Sequence, residues 1–410
     1  MRDTTKRRIS RFRRAGIVAA VAMFAIACSS ENNTNNAGSN QIPSFNNTVL
    51  SITLSADGSK DVYVGGDFTT YNGAQANRIV RLNADGTIDQ AFVAASGFDA
   101  NVRSIVPAAA QSGSIYVGGD FTTYNGVQKA RIVRLNADGT VDPLFAIGTG
   151  FDNTVNIIAL AGDGTGALYV GGAFSTYNGT PANRIVRLNA DGTIDQNFVV
   201  ASGFDNPVLT IVPVGDGSGD LYVGGAFTLY KGIDAMRIVR LTSAGSVNFV
   251  FPTTTGFDNT VQNMTLADDR SGKLYLGGDF TNYKGIPAIR LARLNSSGVL
   301  DLSLVTGTGF NNTVFSVVPA GDGTGKLYVG GAFTIYNGTQ AQSNELVRLN
   351  QNGAKDFSFG TGQGLNDTVL KVVPVGDGSG DVYVGGQFTQ YQLTLRGRFV
   401  RLTSTGALVR

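Results

Sequence analysis

From about residue 45 onward, short apolar runs alternate with clusters of glycine, aspartate and asparagine, and the whole pattern recurs. The unit beginning at Asn153 is representative. An apolar run, Thr154 to Leu160, is followed by the turn formers Gly162-Asp163-Gly164-Thr165-Gly166, which reads as a strand entering a hairpin. A second strand is predicted over Leu168-Tyr169-Val170-Gly171-Gly172-Ala173-Phe174 and a third over Arg184-Ile185-Val186-Arg187-Leu188. Asn189-Ala190-Asp191-Gly192 then turns the chain into a short fourth segment, Thr193-Ile194-Asp195, because glycine readily takes the positive φ of a tight hairpin. Each unit therefore predicts four antiparallel strands.

The Gly-Gly pair sets the period. It occurs at Gly65, Gly118, Gly171, Gly224, Gly277, Gly330 and Gly385, always after an apolar-Tyr-apolar triplet, with five spacings of 53 residues and one of 55. Removing side chains inside a strand makes room for another backbone or a large ring. Seven four-stranded units of about this length predict an all-β fold, a seven-bladed β-propeller of four-stranded antiparallel blades. Phe45-Asn46-Asn47-Thr48-Val49 matches the start of later units, and Gly406 to Arg410 supplies a last fourth segment, so the ends can close a ring. An open solenoid is the alternative, with exposed end surfaces and no capping unit.

All 14 tyrosines fall in two columns of the repeat, one before Gly-Gly (Tyr63, Tyr116 and equivalents) and one after it (Tyr71, Tyr124 and equivalents). Their rings are expected at contacts between blades, with each hydroxyl on a polar partner. An arginine recurs in the third strand, from Arg81 and Arg134 to Arg401. An aspartate follows eight residues later in five units, with Asn248 and Val409 breaking the column in units four and seven. Structural Arg-Asp pairing across the hairpin is expected there.

The column order apolar-Tyr-Val-Gly-Gly-x-Phe-Thr, followed by Arg-Ile-Val-Arg-Leu-Asn-x-Asp-Gly-Thr-Ile-Asp, resembles the delta-60 repeat, a bacterial β-propeller repeat, over nearly all of residues 45 to 410. The glycine pair is also similar to that of Kelch blades, but the chain has no tryptophan, which Kelch blades normally carry. The resemblance implies a propeller in a secreted or surface setting and no defined activity.

Residues 1–27 form a separate segment, with seven arginines and lysines followed by the apolar stretch Ala15 to Ala27, as in a secretory signal. The sequence Ala25-Ile26-Ala27-Cys28-Ser29 resembles a bacterial lipobox, with Ala25 where leucine is usual; an incidental thiol in an ordinary signal peptide is the alternative. The resemblance implies lipid attachment at Cys28 and a membrane anchor. Residues 28–44 then read as an Asn-rich disordered tether and residues 45–410 as the propeller. Without the leader the formal charge falls from +2 to −4, so no electrostatic case for nucleic acid binding remains. The expected location is the bacterial envelope, as an outer-membrane or cell-surface lipoprotein, with a periplasmic or secreted protein as alternatives.

With no histidine, and Cys28 as the sole cysteine, imidazole- and thiol-based catalysis are excluded. No cofactor and no metal is expected, since most aspartates sit where aspartate makes turns, including the Gly-Asp-Gly turns at Asp163, Asp216, Asp322 and Asp377. The expected role is a monomeric binding or scaffold module for a protein or polysaccharide, not an enzyme. Two rivals stand beside it: a carbohydrate-active enzyme using aspartates in the propeller funnel, with Asp268-Asp269 as an irregularity, and a purely structural envelope protein.

Departures from the repeat concentrate in the loop between the second and third strands of units four to seven. Lys231 and Lys284 replace an asparagine, unit six gains two residues between Thr339 and Glu345, and unit seven reads Gln392-Leu393-Thr394-Leu395-Arg396. Equivalent loops of a ring emerge on one face, which makes Lys231, Asp234, Met236, Lys284, Gln340, Gln342, Asn344 and Arg396 the candidate partner-binding surface.

Overall fold

The computed structural model describes residues 44–108, 112–252, 255–340 and 344–409; Cys28 and the leader lie outside them. The described residues contain no helix and build seven equivalent blades. In blade one the strands are Val49–Leu54, Val62–Gly66 and Ile79–Leu82, hydrogen-bonded in that order and antiparallel throughout. The first strands of blades two to seven are Val102–Pro107, Val155–Leu160, Val208–Pro213, Val261–Leu266, Val314–Pro319 and Val369–Pro374. These first strands touch one another side by side round the ring, so they are innermost and line its central channel.

The fourth segment is shorter than its sequence implies. It joins the third strand through one bridge per blade, Leu82 to Ile88 in blade one, flanked by hydrogen bonds from Asn83 N to Thr87 O (2.8 Å) and from Asp89 N to Arg81 O (2.9 Å). Asp89 ends the pairing by accepting the Ala91 N–H at 2.8 Å and turning the chain away. Conversely, the loop after the second strand is ordered into a two-residue ribbon, Thr70–Tyr71 against Ala74–Gln75 in blade one.

Each hydrophobic core lies between two blades. Tyr63 and Ile79 of blade one pack with Phe98, Val102 and Ile105 of blade two, and the same arrangement recurs round the ring. The Gly-Gly pairs mark these seams. A methyl on Gly65 would sit 2.5 Å from Val102 Cγ1 and 2.9 Å from Ile105 Cδ1, both in the next blade, whereas one on Gly66 would collide with the Thr48 carbonyl of its own blade. Closure uses the same contacts: Gly385 of blade seven receives Val49 and Ile52 of blade one, Phe45 packs edge-on to Phe399, and Phe45 N donates to Gly397 O at 3.0 Å.

The two tyrosine columns have different work. The Tyr63 column enters the seams, where Tyr63 Oη donates to Gly113 O of the next blade at 3.0 Å. The Tyr71 column packs its rings into the same cores between blades, but its hydroxyl bonds within its own blade. Its hydroxyl donates to the carbonyl of the glycine in the third turn, at 2.5 to 2.7 Å in six blades and between Tyr391 and Gly406 in the seventh, which fastens each ribbon at its base.

The Arg81 column pairs with aspartate in every blade. Arg134 and Asp142 approach to 2.7 Å, Arg293 and Asp301 to 2.8 Å, and Arg348 and Asp356 to 2.7 Å. Where the partner column is broken, an aspartate at the start of the second strand substitutes: Asp220 meets Arg240 at 2.8 Å and Asp381 meets Arg401 at 2.9 Å. Each guanidinium also lies over a tyrosine of the first column, as Arg293 does over Tyr275 at 5.4 Å.

Candidate functional site

A tight turn closes each ribbon, and its two central residues both have positive φ. Asn72 and Gly73 stand at 51° and 80°, and glycine fills the second position in six blades at 71° to 80°. This is the hairpin turn for which Asn-Gly is the preferred pair. In blades one, two, three and six the asparagine also accepts a backbone N–H from the linker into its blade: Ser44 at 2.9 Å on Asn72, Gly97 at 2.9 Å on Asn125, Thr149 at 3.1 Å on Asn178 and Thr308 at 3.2 Å on Asn337.

Blades four and five replace this anchor with a cation. Lys231 Nζ donates to Val199 O at 2.5 Å and Gly245 O at 2.8 Å and lies 5.2 Å from the Tyr230 ring centre; Lys284 lies 5.0 Å from that of Tyr283. Burial holds both ammonium groups below the usual lysine range. The two lysines thus fold back onto the blade instead of standing free. Asp234 is exposed on the second ribbon strand, while half-buried Met236 accepts the Phe257 N–H on its backbone carbonyl at 3.1 Å. Gln340 ends the ribbon of blade six, Gln342 lies outside the described residues, and half-buried Asn344 accepts the Leu365 N–H on its backbone carbonyl at 3.4 Å. Arg396 follows the last ribbon, with Nη1 on the Leu395 carbonyl at 2.8 Å. Repeat equivalence puts these positions on one face, and among the described residues no hydrogen bond or ion pair joins their side chains across blades.

The same ribbons carry an apolar signal beside their charged departures from the repeat. Leu229, Ile233, Ile286 and Ile335 are exposed in blades four to six, and blade seven adds Leu393 at 72% and Leu395 at 65% exposure. In blades one to three the equivalent ribbon positions are mainly threonine, alanine, glutamine and proline, with Val127 as the exposed exception. Hydropathy compared column by column would have found this contrast.

Leu393 also occupies the glycine position of the turn, at φ 63°. A side chain there costs roughly 1–2 kcal/mol against glycine. Leu393→Gly is therefore expected to raise stability by about 1 kcal/mol, seen as a higher urea midpoint with an unchanged slope.

A second unforeseen column precedes the third strand. Arg78, Arg131, Arg184, Arg237, Arg290 and Arg398 all have φ between 64° and 70°, and blade six has Glu345 there at 67°. Arg237 Nη1 donates to Ala226 O (3.3 Å) and Phe227 O (3.1 Å), and Arg290 Nη1 to Asp279 O. Glu345 instead buries a carboxylate whose Oε2 has no hydrogen-bond partner.

The aspartates of the Gly-Asp-Gly turns cap their own turns, as Asp163 Oδ1 does in accepting the Thr165 N–H at 3.0 Å. Asp269 makes the same contact with Ser271 N at 2.9 Å, in an exposed turn between the first and second strands of blade five. Among the described residues no group of three or more His, Cys, Asp or Glu is placed to hold a metal ion.

The sequence profile of the β-propeller domain of unknown function DUF5122 matches residues 61–92, 110–145, 164–198, 217–248, 270–304 and 323–359, together half of the chain and one segment in each of blades one to six. The chain belongs to this family. Solved structures agree on the fold of this DUF5122 propeller. The WD40 β-propeller domain of Doa1 matches with a TM-score of 0.54 and 14% identity, over 86% of this chain and 95% of that one. A chain of the mitotic checkpoint complex matches with a TM-score of 0.51 and 12% identity, over 94% of this chain and 99% of that one. No curated protein matches the sequence closely enough to count as a relative.

Proposed function

We propose that this DUF5122 propeller is a binding module of the bacterial envelope, carried on a lipid at Cys28, whose partner surface is the set of ribbons in blades four to seven. The observation that carries this reading is Leu393. A leucine held at positive φ and 72% exposed is unfavourable twice, in backbone conformation and in hydration, and six sister blades show that glycine closes the same turn. Contact with a partner is what such a residue gains. Exposed Leu395, Ile286 and Ile233 extend the apolar surface, and Lys231, Lys284 and Arg396 serve chiefly to hold the ribbons in place. The lipobox-like residues around Cys28 support the anchor, and the leader supports export.

The rival enzyme reading needs two acidic groups converging on the axis. None of the seven innermost strands contains aspartate or glutamate, which favours the binding module.

The test compares capture of envelope or host components by the wild type, by Leu393→Gly with Leu395→Thr, and by Lys231→Asn with Lys284→Asn. Loss of capture in the leucine variant, with both variants folded, is expected; undiminished capture by it would sink the proposal. Protease shaving of intact cells followed by mass spectrometry checks the location, with ribbon peptides released only from a surface-exposed protein.

A further inference from the structure

The third residue of each innermost strand forms one layer around the channel. In five blades its side-chain oxygen accepts a backbone N–H of the next blade: Ser51 from Ile105 (3.1 Å), Ser104 from Ile158 (3.1 Å), Thr210 from Met264 (3.2 Å), Asn263 from Val317 (2.9 Å) and Ser316 from Val372 (3.1 Å). The other two blades break the layer. Blade three has Ile157 and blade seven has Lys371, so the N–H groups of Ile211 and Ile52 lose the oxygen that serves their counterparts.

This layer holds a surplus of donors. Each hydroxyl of Ser51, Ser104, Thr210 and Ser316 accepts one bond and keeps its own proton to donate, and all four residues are at least nine-tenths buried. To these are added the two freed backbone N–H groups and the ammonium of Lys371. Burial holds that ammonium below the usual lysine range, and no carboxylate offsets the effect. Lys371 is half-buried and the innermost strands supply no acidic residue, so its positive charge has no counter-ion in its own layer. Buried donors left unmatched are costly, and a charged one most of all.

We infer that the channel of the ring binds a small anionic oxygen group, a carboxylate or an oxyanion, at the layer defined by Lys371 and the seryl and threonyl hydroxyls of the innermost strands. Lys371 supplies the charge and the hydroxyls supply directed hydrogen bonds. The site is separate from the ribbons and stands or falls independently of the partner surface proposed there.

The experiment titrates inorganic phosphate, and separately acetate, into the intact propeller at constant ionic strength set by chloride. The side-chain Cε signal of Lys371 is followed by NMR and the melting temperature in parallel. A saturable shift of the Lys371 signal with a rising Tm is expected for at least one probe. Phosphate alone would mark a tetrahedral oxyanion site, and a response to acetate would extend it to carboxylates. Lys371→Met is expected to weaken binding about thirtyfold or more. Lys371→Ser restores the oxygen that Ile52 N–H lacks, so it should remain folded, close its seam at least as firmly, and still lose the response. Absence of saturation by either probe, as for a channel holding water only, overturns the inference, as does equal binding by both variants. Partner capture through the ribbons should persist in Lys371→Ser whichever result is obtained.

Discussion

Alanine at Gly386 is expected to leave the protein largely unfolded at urea concentrations where the wild type stays native. The added methyl would meet the Thr368 carbonyl oxygen, then Thr368 C and Val369 Cα at 3.1 Å, all backbone atoms of the strand paired with it. Neither strand can yield without losing its ladder, so the cost is expected at or beyond the upper end of the roughly 1–3 kcal/mol typical of overpacking. Gly385→Ala is expected within that range. Its methyl meets Val49 Cγ1 at 2.5 Å and Ile52 Cδ1 at 2.8 Å, side chains of blade one that can shift a little. Gly360→Ala is the control, because a methyl there has nothing within 4 Å. Urea unfolding followed by tyrosine fluorescence should rank the three as 386, 385, 360. A Gly386→Ala protein as stable as the control would mean that the pair has another purpose.

Stability is expected to fall as pH rises from about 5 to about 8, by on the order of 1–2 kcal/mol, and Glu345→Gln should abolish most of that fall. Burial, and then the neighbouring charge of Asp367, push the Glu345 carboxyl up to about 7 in the folded protein, against an ordinary value of 4.5. Between those values the folded state keeps a proton that the unfolded chain has released. Its contribution is therefore complete below about pH 4.5 and disappears as pH passes through 7. Other carboxylates act in the opposite sense at lower pH. Burial raises Asp57, but hydrogen bonds from Ser59 and the charge of Arg81 outweigh it and bring the group down to about 2, so its stabilisation is lost only in strong acid. The expected optimum lies near pH 5. Glu345→Arg restores the column of the other six blades and should raise stability at pH 8 more than at pH 5. Chemical denaturation across this range checks both variants, and a flat wild-type profile would refute the role given to Glu345.

Much of the architecture is legible in the sequence because a closed ring makes the same demand seven times. Period, Gly-Gly pairs, both tyrosine columns and the Arg-Asp pairing all recur in register, and each corresponds to a contact within a blade or across a seam. The features that escaped depend on residues distant in sequence. Lys231 reads as a free surface charge until Val199, 32 residues earlier, is seen beside it. The short fourth segment reads as a strand until Asp89 is seen to cap the turn that ends it. Glu345 follows an irregular insertion and does not announce that six arginines occupy its place in the other blades. Lys371 is one lysine in an apolar strand, and only the ring shows that its layer otherwise consists of oxygens and one isoleucine. In the ribbons of blades four to seven the sequence shows altered charge, whereas the structure adds apolar exposure at Leu229, Ile233, Ile286, Ile335, Leu393 and Leu395.

The seams have a direction. Each blade offers a bare glycine floor on one side and, on the other, a valine and a second apolar side chain that fill a neighbour's floor, as Val102 and Ile105 fill that of Gly65. Such a contact is heterologous: a blade cannot satisfy itself, and only closure consumes both surfaces. A fragment lacking one blade would carry a donor edge and an acceptor edge of matching chemistry, and its copies would add head to tail into filaments. Two complementary fragments of the ring would instead recognise each other and rebuild it.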